Sequence, residues 1–310
     1  MKNKKLNGEY KVLEDNLNEY IKAVEENPES AEALYNLGLA YSEKGMYAMA
    51  LKYLEKAVLN SPDDPQKFCS LAIVYDALNK MHEAIIFYKK AISLEPDNVS
   101  FYVNYGAVFA RNEMFEEAVI IFNKAISLDE NNSLAYSNLG AIYALLGDFD
   151  KAIENLEKSV SIDDKTVSNL INLGNCYLEK KSFLEARKIY EKVLELDNEL
   201  SDVFISLGYT YAFTNDHKRA IDYYLKGIDL DPYNPVYHYN LALAYENLSQ
   251  YDKALESYDE SIMLNNDYIK AIYNQALLLY KMNNMTRFFE NKEKIKELDS
   301  QLFQELDHLE

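Results

Sequence analysis

Asparagine stands at a fixed interval along this chain. Asn36, Asn104, Asn138, Asn172, Asn240 and Asn274 fall on one 34-residue register, and Ser70 and Ser206 complete the row. A carboxamide donates and accepts hydrogen bonds at once, so a row of them matches the N–H and C=O groups of an extended peptide. Apolar residues keep the row company: Ile171, Ile205 and Tyr239 lie one position before it, Tyr209 and Leu243 three positions after, and Phe213 seven after. These twelve residues form the candidate partner-binding set. Asparagine is also tolerated on a solvent-facing helix, so a plain solvated surface stands beside the recognition reading.

Other chemistries find no support. His82-Glu83 begins like a zinc-protease motif, but Ile86 stands where the second histidine is needed. His217, His238 and His308 have no Cys or His at metal-ligand spacing. The glycines repeat with the 34-residue period and do not form a phosphate loop. No acid–base pair stands apart from the many acidic residues, and no Ser, Cys or Thr has an implied histidine beside it. The chain is expected to be no enzyme and to hold no metal or cofactor.

The elements that must carry the row are helices. Copies of the period begin at Ala31, Pro65, Val99, Ser133, Val167, Ser201 and Pro235, without insertion, and a degraded copy begins at Ile269. The seventh column is Leu or Tyr (Leu37, Leu71, Tyr105, Leu139, Leu173, Leu207, Leu241), and the eighth is Gly or Ala. The eleventh is aromatic, from Tyr41 to Tyr245, and the twentieth is Ala in all seven copies. The twenty-fourth is bulky: Leu54, Tyr88, Phe122, Leu156, Tyr190, Tyr224 and Tyr258. Large side chains set against small ones fix how two helices cross. A unit this short cannot bury its own apolar face, so neighbours must complete one another's core.

These columns resemble the tetratricopeptide repeat family, although the family's usual Trp in the fourth column is replaced by Leu34, Phe68, Tyr102, Tyr136, Leu170, Phe204 and His238. The resemblance implies an all-α, right-handed superhelical solenoid of helix-turn-helix repeats, with the first helix of each copy lining a concave groove. The sixth-column row is similar to the asparagine ladder of the O-linked N-acetylglucosamine transferase superhelix, where such rows hold an extended partner. First helices about 10 Å apart and a strand rising about 3.3 Å per residue would give one rung for every third partner residue. The basic residues of the co-chaperone carboxylate clamp are absent apart from Lys270, and transferase activity is not expected of the repeats alone.

The expected organisation is a segment over 1–30 with an orphan capping helix, seven repeats over 31–268, and a degenerate eighth repeat with a C-terminal capping helix over 269–310. The cap carries Ile295, Leu298, Leu302, Leu306 and Leu309 on one stripe, with Asp299 or Ser300 placed to start its last helix. With 51 acidic against 32 basic residues and no basic stripe, the net charge of −19 argues against nucleic acid. No run of apolar residues suits a signal peptide or a membrane span. Cys69 and Cys176, three repeats apart, are read as free thiols in a cytoplasmic protein. The functional expectation is a non-enzymatic interaction scaffold that takes a partly apolar peptide in its groove. The alternatives are a structural protein self-associating through its terminal repeats or the Leu302 stripe, and a substrate-presenting subunit of a larger enzyme complex.

Overall fold

The structure, a computed structural model, describes residues 17–309. It is an all-α helical repeat solenoid, and its helices follow the sequence period. After α1 (17–26), the pairs are α2 (Ala31–Glu43) with α3 (Tyr47–Asn60), α4 (Pro65–Ala77) with α5 (Met81–Leu94), and α6 (Val99–Arg111) with α7 (Phe115–Leu128). Then come α8 (Ser133–Leu145) and α9 (Phe149–Ile162), α10 (Val167–Glu179) and α11 (Phe183–Leu196), and α12 (Ser201–Phe213) and α13 (His217–Leu230). The last are α14 (Pro235–Asn247) and α15 (Tyr251–Leu264), α16 (Ile269–Lys281) and α17 (Met285–Leu298), and the short α18 (Ser300–Asp307). The chain resolves into two compact units, residues 1–146 and 147–310, where the sequence suggests a single array.

Local chemistry sets the helix ends. Asp64, Asn98, Asn132 and Asn234 each accept a backbone N–H of the helix they precede, and Pro65 and Pro235 occupy the first turn, where a missing N–H costs nothing. Most first helices end in the same way. Met46 N–H donates to Tyr41 C=O at 2.9 Å, and Lys80, Ser182, Asp216 and Gln250 repeat the bond at 2.8–2.9 Å. This closure needs a left-handed residue at the fifteenth column. Gly45 and Gly147 supply it freely, but Asn79, Glu113, Lys181, Asn215, Ser249 and Asn283 are also held there, at φ near 60°.

The packing of large against small residues is as expected, with one refinement. The twenty-fourth column seats itself on the eighth as well as beside the alanine. A Cβ on Gly38 would meet Leu54 at 2.7 Å, on Gly106 Phe122 at 2.8 Å, on Gly174 Tyr190 at 2.6 Å, and on Gly208 Tyr224 closer still. The eighth repeat inverts the arrangement: Phe288 at the alanine position is fully buried, and Lys292 at the aromatic position turns toward α18 and pairs with Asp307 at 2.9 Å.

Both ends of the array are covered by their own chain. Leu17, Tyr20, Ile21 and Val24 of α1 pack on the core of the first unit, as a capping helix should. The rest of the expected N-terminal segment, residues 1–16, lies outside the described residues. Asp299 caps α18 by accepting from Gln301 and Leu302 N–H at 2.9 and 3.1 Å. Leu306 is fully buried among Ile272, Ala276, Leu279, Phe288 and Ile295, with Leu302 and Leu309 against the same cluster. The stripe that the self-association alternative needs on the surface is therefore spent inside the chain.

Candidate functional site

The sixth column sits at one depth: Asn36, Ser70, Asn104, Asn138, Asn172, Ser206, Asn240 and Asn274 are all half-buried. They differ in what they already hold. In three copies a polar side chain one column earlier in the preceding repeat takes up the carboxamide or hydroxyl. Tyr35 OH lies 3.0 Å from Ser70 Oγ, Asn104 Nδ2 lies 3.9 Å from Cys69 Sγ, and Asn274 Nδ2 donates to Tyr239 OH at 2.8 Å. Where the earlier residue is apolar, no such bond forms. Val103 precedes Asn138 and Ile205 precedes Asn240, and among the described residues neither asparagine has a side-chain hydrogen bond. Asn36 and Asn172 are likewise without one.

The fifth column is mixed, with Tyr35, Ile171, Tyr239 and Tyr273 half-buried. Cys69, Val103 and Ile205 are buried, whereas Ile73 in the ninth column is 41 % exposed and Asn175 is exposed as well. Ile205 is corrected accordingly: its side chain lies where a Cβ on Gly227 would be, at 2.7 Å, and it holds α12 to α13. Tyr239 is engaged too, with its ring against Tyr268 at 5.4 Å and its hydroxyl taken by Asn274.

Three clefts occupy the same register between consecutive first helices, and their charges differ. Between repeats 2 and 3, in the first unit, Asp76 and Arg111 form an ion pair across the opening. Between repeats 7 and 8, Glu246 and Lys281 take the same two columns, with Lys281 Nζ held 4.7 Å from the Tyr251 ring. Between repeats 6 and 7 those columns are Ala212 and Asn247, and no carboxylate, lysine or arginine lines the cleft, whose volume is about 340 Å³. Tyr209, Phe213, Asn240 and Leu243 of the candidate set meet there, joined by Asn215 and His217, which the sequence reading missed. Phe213 is 53 % exposed and lies 4.4 Å from the Tyr209 ring and 5.4 Å from Phe183. Burial, with the Glu179 carboxylate nearby, pushes the Tyr209 phenol above its ordinary value. Ile171 lines a separate cleft of the second unit with Asn175 and Ser206.

Among the described residues no group of His, Cys, Asp or Glu is arranged to hold a metal, and no helix is long and apolar enough to cross a membrane. A helix-pair repeat with small residues at each crossing defines a class of binding scaffolds. Tetratricopeptide repeat profiles match residues 31–64, 68–98, 98–165, 132–199, 165–232 and 223–256, and the chain belongs to that family. No similar protein is found among curated sequences. Among solved structures, the C-terminal part of a TPR repeat-containing protein from Cytophaga hutchinsonii aligns with TM-score 0.64 at 21% identity, over 77% of this chain and 98% of its own. Pseudomonas aeruginosa PilF aligns with TM-score 0.58 at 22% identity, over 71% and 96%. YrrB, described as a TPR protein with an unusual peptide-binding site, aligns with TM-score 0.51 at 26% identity, over 58% and 92%. The chain is a protein–protein interaction scaffold by family, and such proteins bind protein or peptide partners.

Proposed function

We propose that the first-helix face of the second unit binds an extended, partly apolar segment of a partner protein, and that Asn172 and Asn240 hold its backbone. The observation that carries this reading is the split within the sixth column: Asn274 is taken up by Tyr239, whereas Asn240 keeps its donors and acceptors available beside Tyr209, Phe213 and Leu243, and Asn172 likewise has no side-chain hydrogen bond among the described residues. A half-buried carboxamide without a partner is poised to exchange water for a peptide group, at about 0.5–1.5 kcal/mol per bond. The peptide-binding site of YrrB supports the class of ligand. In the first unit, Asn36 and Asn138 offer the same groups, and Asn104 is only weakly engaged. The scaffold does no chemistry of its own, and its two free, buried thiols fit a reducing, cytoplasmic setting.

Selection of a random 12-residue peptide library on the intact chain tests this. Enriched sequences should bind in the micromolar range and lose about tenfold or more on the Asn172→Ala/Asn240→Ala variant with unchanged helicity. Failure to enrich any sequence, or equal binding by that variant, overturns the proposal.

A further inference from the structure

We propose that the cleft between α12 and α14 receives the phenol side chain of a tyrosine from the bound segment, an inference that rests on the peptide-binding reading above and names one residue of the partner. Three observations converge. The wall is aromatic: Phe213, half exposed, lies tilted against Tyr209 and Phe183 and leaves ring surface for a further aromatic side chain. The rim is polar: Asn215, Asn240 and His217 line it, the carboxamides of Asn215 and Asn240 have no side-chain hydrogen bond among the described residues, and the His217 ring has its Nδ1 buried without a partner. Asn247 donates to Leu243 C=O at 2.8 Å and keeps its oxygen free.

Charge decides between ring types. The equivalent clefts carry an acidic and a basic residue, Asp76 with Arg111 and Glu246 with Lys281, whereas this one carries neither. One carboxylate, Glu179, lies near the lining residue Tyr209. No cation among the lining residues offsets the charge of an anionic occupant such as phosphotyrosine, and Arg187, which reaches Thr214 Oγ1 at 3.5 Å, already lies over the Tyr211 ring. A neutral ring whose hydroxyl meets the carboxamide rim is favoured. A site built for a hydroxyl rejects the analogue lacking it, because its own polar groups lose their partner.

The test uses free N-acetyl-tyrosinamide on the full chain, a single residue too short to run along the asparagine row, so that it reads the cleft without the extended backbone contacts. With ring-labelled histidine, the His217 signal, assigned through His217→Gln, should shift in the millimolar range, while His82, His238 and His308 line no part of the cleft and stay fixed. N-acetyl-phenylalaninamide should bind about tenfold more weakly, the phosphotyrosine amide should produce no shift, and Phe213→Ala, at a half-exposed position that leaves folding intact, should weaken tyrosinamide about tenfold. No shift at His217 up to saturation of the probe, equal binding of the phenylalanine or phosphotyrosine amides, or an unaffected Phe213→Ala would each overturn the inference. If the tyrosinamide fails while library peptides still depend on Asn172 and Asn240, the cleft assignment falls and the groove reading stands.

Discussion

The cleft between repeats 2 and 3 and the cleft between repeats 6 and 7 occupy the same columns of the same repeat, yet they present opposite chemistry. In the first, Asp76, nearly buried, is paired with Arg111, and the polar groups of the neighbouring first helices are knitted together through Tyr35 with Ser70 and Cys69 with Asn104. In the second, alanine and asparagine replace the ions, an aromatic wall is exposed, and carboxamides stand without partners. The repeat's geometry holds the positions constant. What varies is whether adjacent copies satisfy one another, and a copy that leaves its neighbour unsatisfied exposes a site.

The core device is common to both units, so disrupting it should hurt each about equally. Phe122→Ala and Tyr224→Ala should each cost about 3–5 kcal/mol in urea unfolding; a small loss in only one unit would break the parallel. Next in size, Arg111→Ala strands the Asp76 carboxylate and should cost about 1–2 kcal/mol, with much less lost at high salt. The same experiment at Asn247 should change stability by less than about 0.5 kcal/mol.

The contrast sharpens within the asparagine row. Asn274→Ala removes the bond to Tyr239 and should cost about 1 kcal/mol, while Asn240→Ala should fall within about 0.5 kcal/mol, both read by chemical denaturation. Equal losses would mean that Asn240 is held by the fold no less firmly than Asn274.

Much of this architecture is legible in the chain itself. The period, the small eighth column, the cap at Asp299 and the inward turn of the Leu306 stripe follow from local pattern. The site is less legible, for reasons of register. Contacts between consecutive first helices join residues 35 apart, one column out of step with the period, so aligning the copies conceals them: Tyr239 meets Asn274, and Asp76 meets Arg111. Ile205 reads as a groove residue until Gly227 on α13 gives its side chain a seat. Asn215 sits in a turn column that carries no apolar signal, and His217 stands in the seventeenth column, which is apolar in the other copies (Tyr47, Met81, Phe115, Phe149, Phe183, Tyr251 and Met285), so the pattern marks that position as packing. The left-handed fifteenth column is visible in the sequence only where it is glycine.

That column gives a gain of stability. Replacing a non-glycine residue held at φ near 58° relieves strain of about 1 kcal/mol, so Glu113→Gly in the first unit and Lys181→Gly in the second should each raise the unfolding midpoint. A loss at either would show that the side chain, and not the backbone, decides there.

The smallest effect separates the units by acid. In the second unit a hydrogen bond from Thr166 lowers the Asp163 carboxyl, Lys192 lowers Asp164, the Arg219 backbone N–H lowers Asp216 and Lys292 lowers Asp307. In the first unit Asp64 is lowered too, where burial pushes its carboxyl up but Lys67 outweighs it. A depressed native value stabilises the fold above the unfolded carboxyl value of about 3.9, and that contribution is lost as pH falls through the lower native value. With more such carboxylates in the second unit, amide exchange should show it loosening before the first below about pH 4. Simultaneous loosening would remove this distinction.

The most direct measurement is a calorimetric cycle on a library-selected peptide. Its backbone amides are N-methylated at alternate positions, and both forms are titrated against the natural chain and the Asn172→Ala/Asn240→Ala variant. Carboxamides that hold a peptide backbone predict that methylation costs about tenfold on the natural chain and little on the variant. An equal loss on both proteins would show that the asparagines do not read the backbone.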